Sequence, residues 1–291
     1  MNRRRFVQST ALAGLAAATS RAWAGVPADS PYMKNIGIQL YTLRNPIGQD
    51  LPGTIAAVVE AGYKQAELYG FPDNAPMIAA CKEAGLELHS THFNWDSAVN
   101  PSDQDFTDFR RILEQAGEAG FSHLVVPYLH GGDRDSLDAY RRTAANLNRA
   151  AELAKQADIT LSYHNHSFEF QPMDDGKSGF DVFIEEFNEA MKFELDVFWV
   201  EVGGVDTLEL MDRLDGRVTQ LHLKDLAAGL DLPVYGGVPQ ESFKELGNGV
   251  IPMAPIMAKA AEIGVEHCHV EQDHSPDPVD SIRQSMAHLR G

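Results

Sequence analysis

The sequence predicts an α/β chain folded as a single (β/α)8 TIM barrel over residues 25–291. Three observations carry that prediction. Eight short β-rich runs alternate with amphipathic helical stretches. Gly62, Gly85, Gly120 and Gly264 each follow a helical stretch, where glycine ends a helix by taking the left-handed conformation cheaply. No linker, low-complexity tract or change of composition divides these residues. Eight repeating units favour a closed barrel over an open sheet, and no G-x-G-x-x-G opens a helix after the first strand.

The expected strands are residues 36–43, 65–69, 87–91, 123–128, 160–164, 192–198, 219–223 and 266–271. All are short, and most carry β-branched, aromatic or Leu residues, as strands enclosed on both faces do. The helical pattern is clearest over 50–61, 74–84, 105–119, 137–157, 206–214 and 255–263. There the apolar residues recur at the spacing of one helix face.

The chain opens with Arg3-Arg4-Arg5-Phe6, continues with a short Ala/Gly-rich apolar stretch, and reaches Ala22-Trp23-Ala24. A basic head, a short hydrophobic middle and an A-x-A site form a secretory signal, and the arginines resemble the twin-arginine type. Residues 1–24 are therefore expected to be removed on export to the periplasm, with no membrane span left in the remainder. The formal charge is −18. The signal holds four arginines and no acid, so the remainder is more negative still. A strongly acidic surface repels phosphate backbones and argues against nucleic acid as a partner. Cys81 and Cys268 fall in a predicted helix and a predicted strand and are read as buried free thiols. A homo-oligomer is compatible with the sequence.

Catalytic groups of such barrels cluster at the carboxyl ends of the strands. Polar residues end four successive predicted strands: His164 and His166 on the fifth, Glu194 and Asp196 on the sixth, His222 and Lys224 on the seventh, His269 and Glu271 on the eighth. Residues two apart share a strand face, so each pair projects to one side. One strand histidine alone is more often a hydrogen-bonded core group. A ring of carboxylates and imidazoles, however, is costly to bury without a compensating cation. Mixed oxygen and nitrogen donors suit Mn²⁺, Co²⁺ or Zn²⁺, with Mg²⁺ less favoured.

At these residues the chain resembles the xylose-isomerase-like superfamily of sugar isomerases and epimerases, in particular a bacterial branch with a Tyr-His-Asn-His-x-x-Glu-Phe segment, here residues 163–170. Further matching pieces are Gly37 to Arg44, Glu67, His92, the segment Glu194 to Trp199, His222-Leu223-Lys224-Asp225, Glu245 to Gly249, and Val270-Glu271-Gln272-Asp273. The resemblance implies one divalent metal ion held by Asp196, His222 and Glu271. Where many relatives carry a strand-five Glu this chain has Ser162, which leaves His164, His166 or Glu169 to fill that place.

The resemblance further implies an isomerase or epimerase that acts on a keto-sugar or sugar derivative through an enediolate. Glu271, Lys224, Glu169 and His166 are the expected catalytic groups; Asp196, His222, Glu271 and His164 the expected metal ligands; Gln39, Tyr41, Glu67, His92 and Trp199 the expected substrate partners. Phe93 and Trp95 are candidates for an apolar wall, and His267 and His269 for groups that orient the ligands. A metal-dependent lyase or dehydratase on a 3-keto-glycoside or keto-inositol is the principal alternative. A non-catalytic sugar-binding protein and a multi-zinc DNA-repair phosphodiesterase on the same fold are weaker ones.

Overall fold

A computed structural model describes residues 26–27 and 29–291. The signal segment 1–24 lies outside the described residues. Eight parallel strands close into a barrel: β1 (Gly37–Gln39), β2 (Gln65–Phe71), β3 (Ser90–Phe93), β4 (His123–Val126), β5 (Thr160–His164), β6 (Met191–Asp196), β7 (Val218–Leu223) and, after an excursion, β10 (His267–Val270). Parallel pairing runs around the ring in sequence order and β10 pairs with β1. The excursion is a small hairpin of β8 (Asp225–Leu226) and β9 (Phe243–Lys244) at the carboxyl end of β7.

Apolar strand residues and the inner faces of the surrounding helices form one core, with Ile38, Leu68, Leu124, Leu161, Leu195, Leu221 and Val270 almost fully enclosed. The predicted helices form as Leu51–Ala61, Ala75–Glu83, Thr107–Ala119, Leu137–Gln156, Thr207–Arg213 and Met253–Glu262. Gly179–Glu186 and Pro278–Arg290 join them. All four helix-ending glycines have positive φ, between 78° and 104°. Cys81 and Cys268 are buried and unpaired. No helix among the described residues is long and apolar enough to cross a membrane.

Several strands stop earlier than their composition suggests, two of them at a side-chain cap. The first ends at Gln39, whose side chain accepts the Tyr41 N–H at 3.0 Å and starts a 3-10 turn over Leu40–Leu43. The sixth ends at Asp196, whose Oδ1 accepts the N–H groups of Phe198 (3.0 Å) and Trp199 (3.2 Å). Val197–Val202 is therefore a helix although its residues favour strands. These side-chain caps override propensity because they satisfy amides that a helix start leaves open. The third strand begins at Ser90 rather than at 87, and Glu87 contributes only an isolated bridge to Gln65.

Asp225 organises the excursion. Its carboxylate accepts the N–H groups of Leu226 (2.8 Å), Gly247 (2.9 Å), Gly249 (3.0 Å) and Ile251 (2.9 Å). A Cβ on Gly249 would collide with Asp225 itself, and Gly247 has φ +85°. The Gly247-Asn248-Gly249 segment is thus shaped by its need to wrap a buried carboxylate.

Candidate metal centre and active site

The four expected ligands meet. His164 ends β5, Asp196 ends β6, His222 projects from β7, and Glu271 immediately follows β10. One donor atom from each lies within 4.8 Å of all the others, and all four residues are buried. His164 Nε2 is 3.2 Å from Asp196 Oδ2. His222 Nδ1 is 2.7 Å from Glu271 Oε2 and 3.9 Å from Asp196 Oδ2. His164 therefore occupies the strand-five place in the group. Ser162, two residues deeper, bonds Thr219 Oγ1 at 3.0 Å.

The donor set fits a divalent cation. Two imidazoles and two carboxylates converge from four strands, the mixed set that Mn²⁺, Co²⁺ and Zn²⁺ accept. His222 Nδ1 is buried and has no hydrogen-bond partner, although Glu271 Oε2 is only 2.7 Å away. A divalent cation held here would give the His222 nitrogen a partner.

Lys224 enters the same region. Its Nζ lies 2.9 Å from Asp196 Oδ2, 2.8 Å from Glu271 Oε2 and 2.8 Å from Asp273 Oδ2. Burial opposes its charge, but these three carboxylates raise its pKa well above the usual lysine value. Asp196 answers in kind: burial pushes it up, and the Lys224 ammonium with His164 brings it down to about 2. Burial likewise opposes the Glu271 charge, and Lys224 and His222 hold it well below the usual carboxylate range.

Beneath these groups a second tier fixes His222. Its Nε2 lies 2.7 Å from Glu67 Oε1 and 3.2 Å from Glu194 Oε2. Glu67 also accepts from Gln39 Nε2 at 2.6 Å and from the Ser90 hydroxyl. His92 Nε2 stands 3.2 Å from Glu67 and 3.3 Å from Glu194. Burial works against a charged His92, yet the Glu67 and Glu194 carboxylates raise it to about 9. A carboxylate on the far nitrogen of a ligand histidine sets its tautomer and orientation.

A cavity of about 580 Å³ opens over the cluster, and Lys224, Glu271, His164, His166, His92 and Asp273 reach it. Tyr41, Tyr69, Phe71, Phe93, Trp95 and Tyr128 supply aromatic walls. Tyr41 is substantially exposed at the rim. Among the described residues that line the cavity, Lys224 is the only one with a lysine or arginine side chain. Burial, with His164 and Lys224 nearby, holds His166 well below the usual histidine pKa, so its ring is neutral. Its Nδ1 has no partner.

Several expected site residues stand away from the cavity wall. Gln39 and Glu67 are fully buried and bonded to each other below it. Glu169 is also fully buried; it accepts from the Tyr163 hydroxyl (2.6 Å) and the His166 N–H (2.9 Å), and burial pushes it up to about 7. Trp199 packs behind Lys224, whose Nζ is 5.9 Å from the indole ring. His269 lies near the lower tier with both ring nitrogens unpartnered. His267 opens its strand at the opposite end of the barrel, too far down to orient the ligands.

Asp273, the third partner of Lys224, was not anticipated as a site residue, nor was Glu194 as a partner of His222. Both sit two residues from an expected ligand, and that spacing was the available signal.

A family model described as a xylose isomerase-like TIM barrel matches residues 55–291. A sugar phosphate isomerase/epimerase from Parabacteroides distasonis ATCC 8503 is similar in structure, with 25% identity, 88% of this chain and 93% of that chain covered, and a TM-score of 0.71. The IOLI protein with a bound zinc atom shares 14% identity over 87% of this chain and 96% of that one, at TM-score 0.65. A 3-keto-D-glucoside 4-epimerase from E. coli shares 16% identity over 88% and 98%, at TM-score 0.64. No curated protein sequence matches the chain.

Proposed function

The chain belongs to the xylose isomerase-like TIM-barrel family, and on that premise we propose that it is a divalent-metal-dependent isomerase or epimerase of an uncharged keto-sugar or keto-glycoside. The observation that carries this reading is the meeting of His164, Asp196, His222 and Glu271 beside the cavity. These four residues would hold the cation, which when bound supplies Lewis-acid stabilisation of charge developing on substrate oxygens.

The chain's own groups do the rest. Lys224 remains an ammonium and presents positive charge to an oxygen that gains negative charge as the neighbouring C–H is broken. It acts as a fixed donor rather than as a group that gives up its proton. Two proton acceptors line the cavity: the Glu271 carboxylate and the neutral His166 imidazole. Glu271 removes the proton α to the carbonyl, and return of a proton to the adjacent carbon or the opposite face completes isomerisation or epimerisation. His166 is placed to carry the proton on the return step.

The substrate is read as unphosphorylated. Among the described residues, the only Lys or Arg lining the cavity is already shared among three carboxylates, and Asp73 and Asp273 add negative charge. A phosphate dianion would meet repulsion there without a bidentate partner. The volume and aromatic lining suit a ring that carries an apolar substituent.

The replacement of a strand-five carboxylate by His164 favours a second reading, β-elimination by a lyase. Elimination begins with the same proton removal but needs one base and a proton donor to the leaving group, not two carboxylates on opposite faces. One experiment tests both. The metal-loaded enzyme is incubated with keto-sugars and 3-keto-glycosides in D₂O and the products are weighed by mass spectrometry. A gain of one mass unit from solvent deuterium, with no fragment lost, supports the isomerase or epimerase. Loss of water or of the aglycone establishes the lyase. No change with any metal and any of these substrates defeats the enzymatic reading.

A further inference from the structure

At the end of the barrel opposite the cavity, imidazoles from facing strands come together. His123 opens β4 and His267 opens β10, which stand four places apart in the closed ring of eight. Their ring centroids are 5.4 Å apart and perpendicular. His89, just before β3, stacks on His267 at 4.6 Å. Glu266 precedes His267 and brings its Oε2 to 3.7 Å from His123 Nε2. One donor atom from each of His123, Glu266 and His267 lies within 4.8 Å of the other two.

A separate observation shows that this cluster lacks a partner. His123 is only 3% exposed; its Nδ1 is 2.9 Å from the Ser122 hydroxyl, while its Nε2 is buried with no hydrogen-bond partner. His267 Nδ1 is likewise buried and unpartnered. Leaving such atoms unmet is costly, and native interiors rarely do it. The Ser122 contact on the far nitrogen is the kind that fixes a ligand imidazole.

We propose that His123, His267 and Glu266 form a second cation site, in the floor of the barrel, for a borderline divalent ion of the Zn²⁺ class. Two imidazoles and a carboxylate, with solvent in the remaining position, are a donor set such ions accept. Glu266 is half exposed, so the site opens to solvent at the lower face. It is remote from the chemistry and ties β4 to β10 across the ring, which makes its role structural.

The test uses the full protein, stripped with chelator and reloaded with Zn²⁺ alone. Bound zinc is counted by elemental mass spectrometry after desalting, and melting is followed with and without zinc. His267→Gln and Glu266→Gln, changes at groups outside the active-site machinery, are measured beside the parent. The expected result is one zinc fewer per chain in each variant. Each should also lose a zinc-dependent rise in melting temperature of about 5 °C, with turnover unchanged. Equal zinc content in parent and both variants overturns the proposal, as does an equal zinc-dependent rise in all three. The count does not depend on catalysis, so it stands or falls separately from the reading of the active site.

Discussion

Glu67 and His222 meet at 2.7 Å in the barrel interior, although 155 residues separate them in sequence. The contact uses Nε2 and leaves Nδ1 facing Glu271 and Asp196. Glu67 thereby decides which nitrogen of His222 is offered to a cation. Glu67→Gln should lower metal affinity about 10–100-fold, the usual effect of losing such a support. Equilibrium titration of the apo protein with Mn²⁺ or Zn²⁺ checks this; unchanged affinity would mean that the contact is only packing.

Asp196→Asn and Glu271→Gln each remove a ligand charge while keeping the shape. Asparagine preserves an oxygen for the cap on Val197–Val202, so the fold should persist. We expect one metal ion per chain and turnover to be lost together while far-ultraviolet circular dichroism is unchanged. Full occupancy by elemental analysis in either variant would refute the ligand assignment.

Lys224→Met should separate stability from metal binding. It strands the buried carboxylates of Asp196 and Glu271 and the partly buried one of Asp273, and breaking a buried ion pair costs about 3–5 kcal/mol. Apo protein should lose stability on that scale in urea. The variant should nonetheless bind the divalent cation more tightly than the parent, because a competing positive charge has gone. Turnover should fall. Weaker binding in calorimetry would show that Lys224 supports the cation instead.

Glu169 gives a pH signature. Its folded pKa, about 7, lies above the unfolded value near 4.3. Folding therefore favours its protonated form, and the protein should lose stability as pH rises between these two values. The loss approaches roughly 3–4 kcal/mol by linkage. Glu169→Gln should flatten that part of the profile in denaturant melts from pH 4 to 8. A profile identical to the parent's would remove the argument.

The aromatic walls should matter most for substrates with an apolar substituent. Trp95→Ala is expected to raise KM about tenfold for an aryl keto-glycoside and far less for a simple keto-sugar. Sugar phosphates should be turned over poorly by the parent enzyme. Steady-state kinetics on matched pairs decides both points.

The convergence of the Asp196, His222 and Glu271 side chains was legible in the sequence because a strand end is a place as well as a face. Each falls at or near the end of a short strand, and the barrel brings such ends together. Height along a strand was harder to read. Ser162 and His164 share a face, and alternation alone does not say which one reaches the mouth. Gln39 and Glu67 illustrate the same ambiguity, since both point inward yet sit below the cavity. The helix at Val197–Val202 was hidden for another reason: apolar and β-branched residues read as strand until the Asp196 side chain is seen to turn the backbone.

The two oxygens of Asp196 have different occupations. Oδ1 is committed to the amides of Phe198 and Trp199, which leaves Oδ2 alone to face the cluster. An ion seated there is gripped by this residue through a single atom. Large, many-coordinate Ca²⁺ gains from chelation by both oxygens of a carboxylate and is denied it here, whereas smaller ions with short bonds lose nothing. The first turn of a short helix would thus act as a size filter on a cation held here, and calcium at equal concentration should fail to displace manganese.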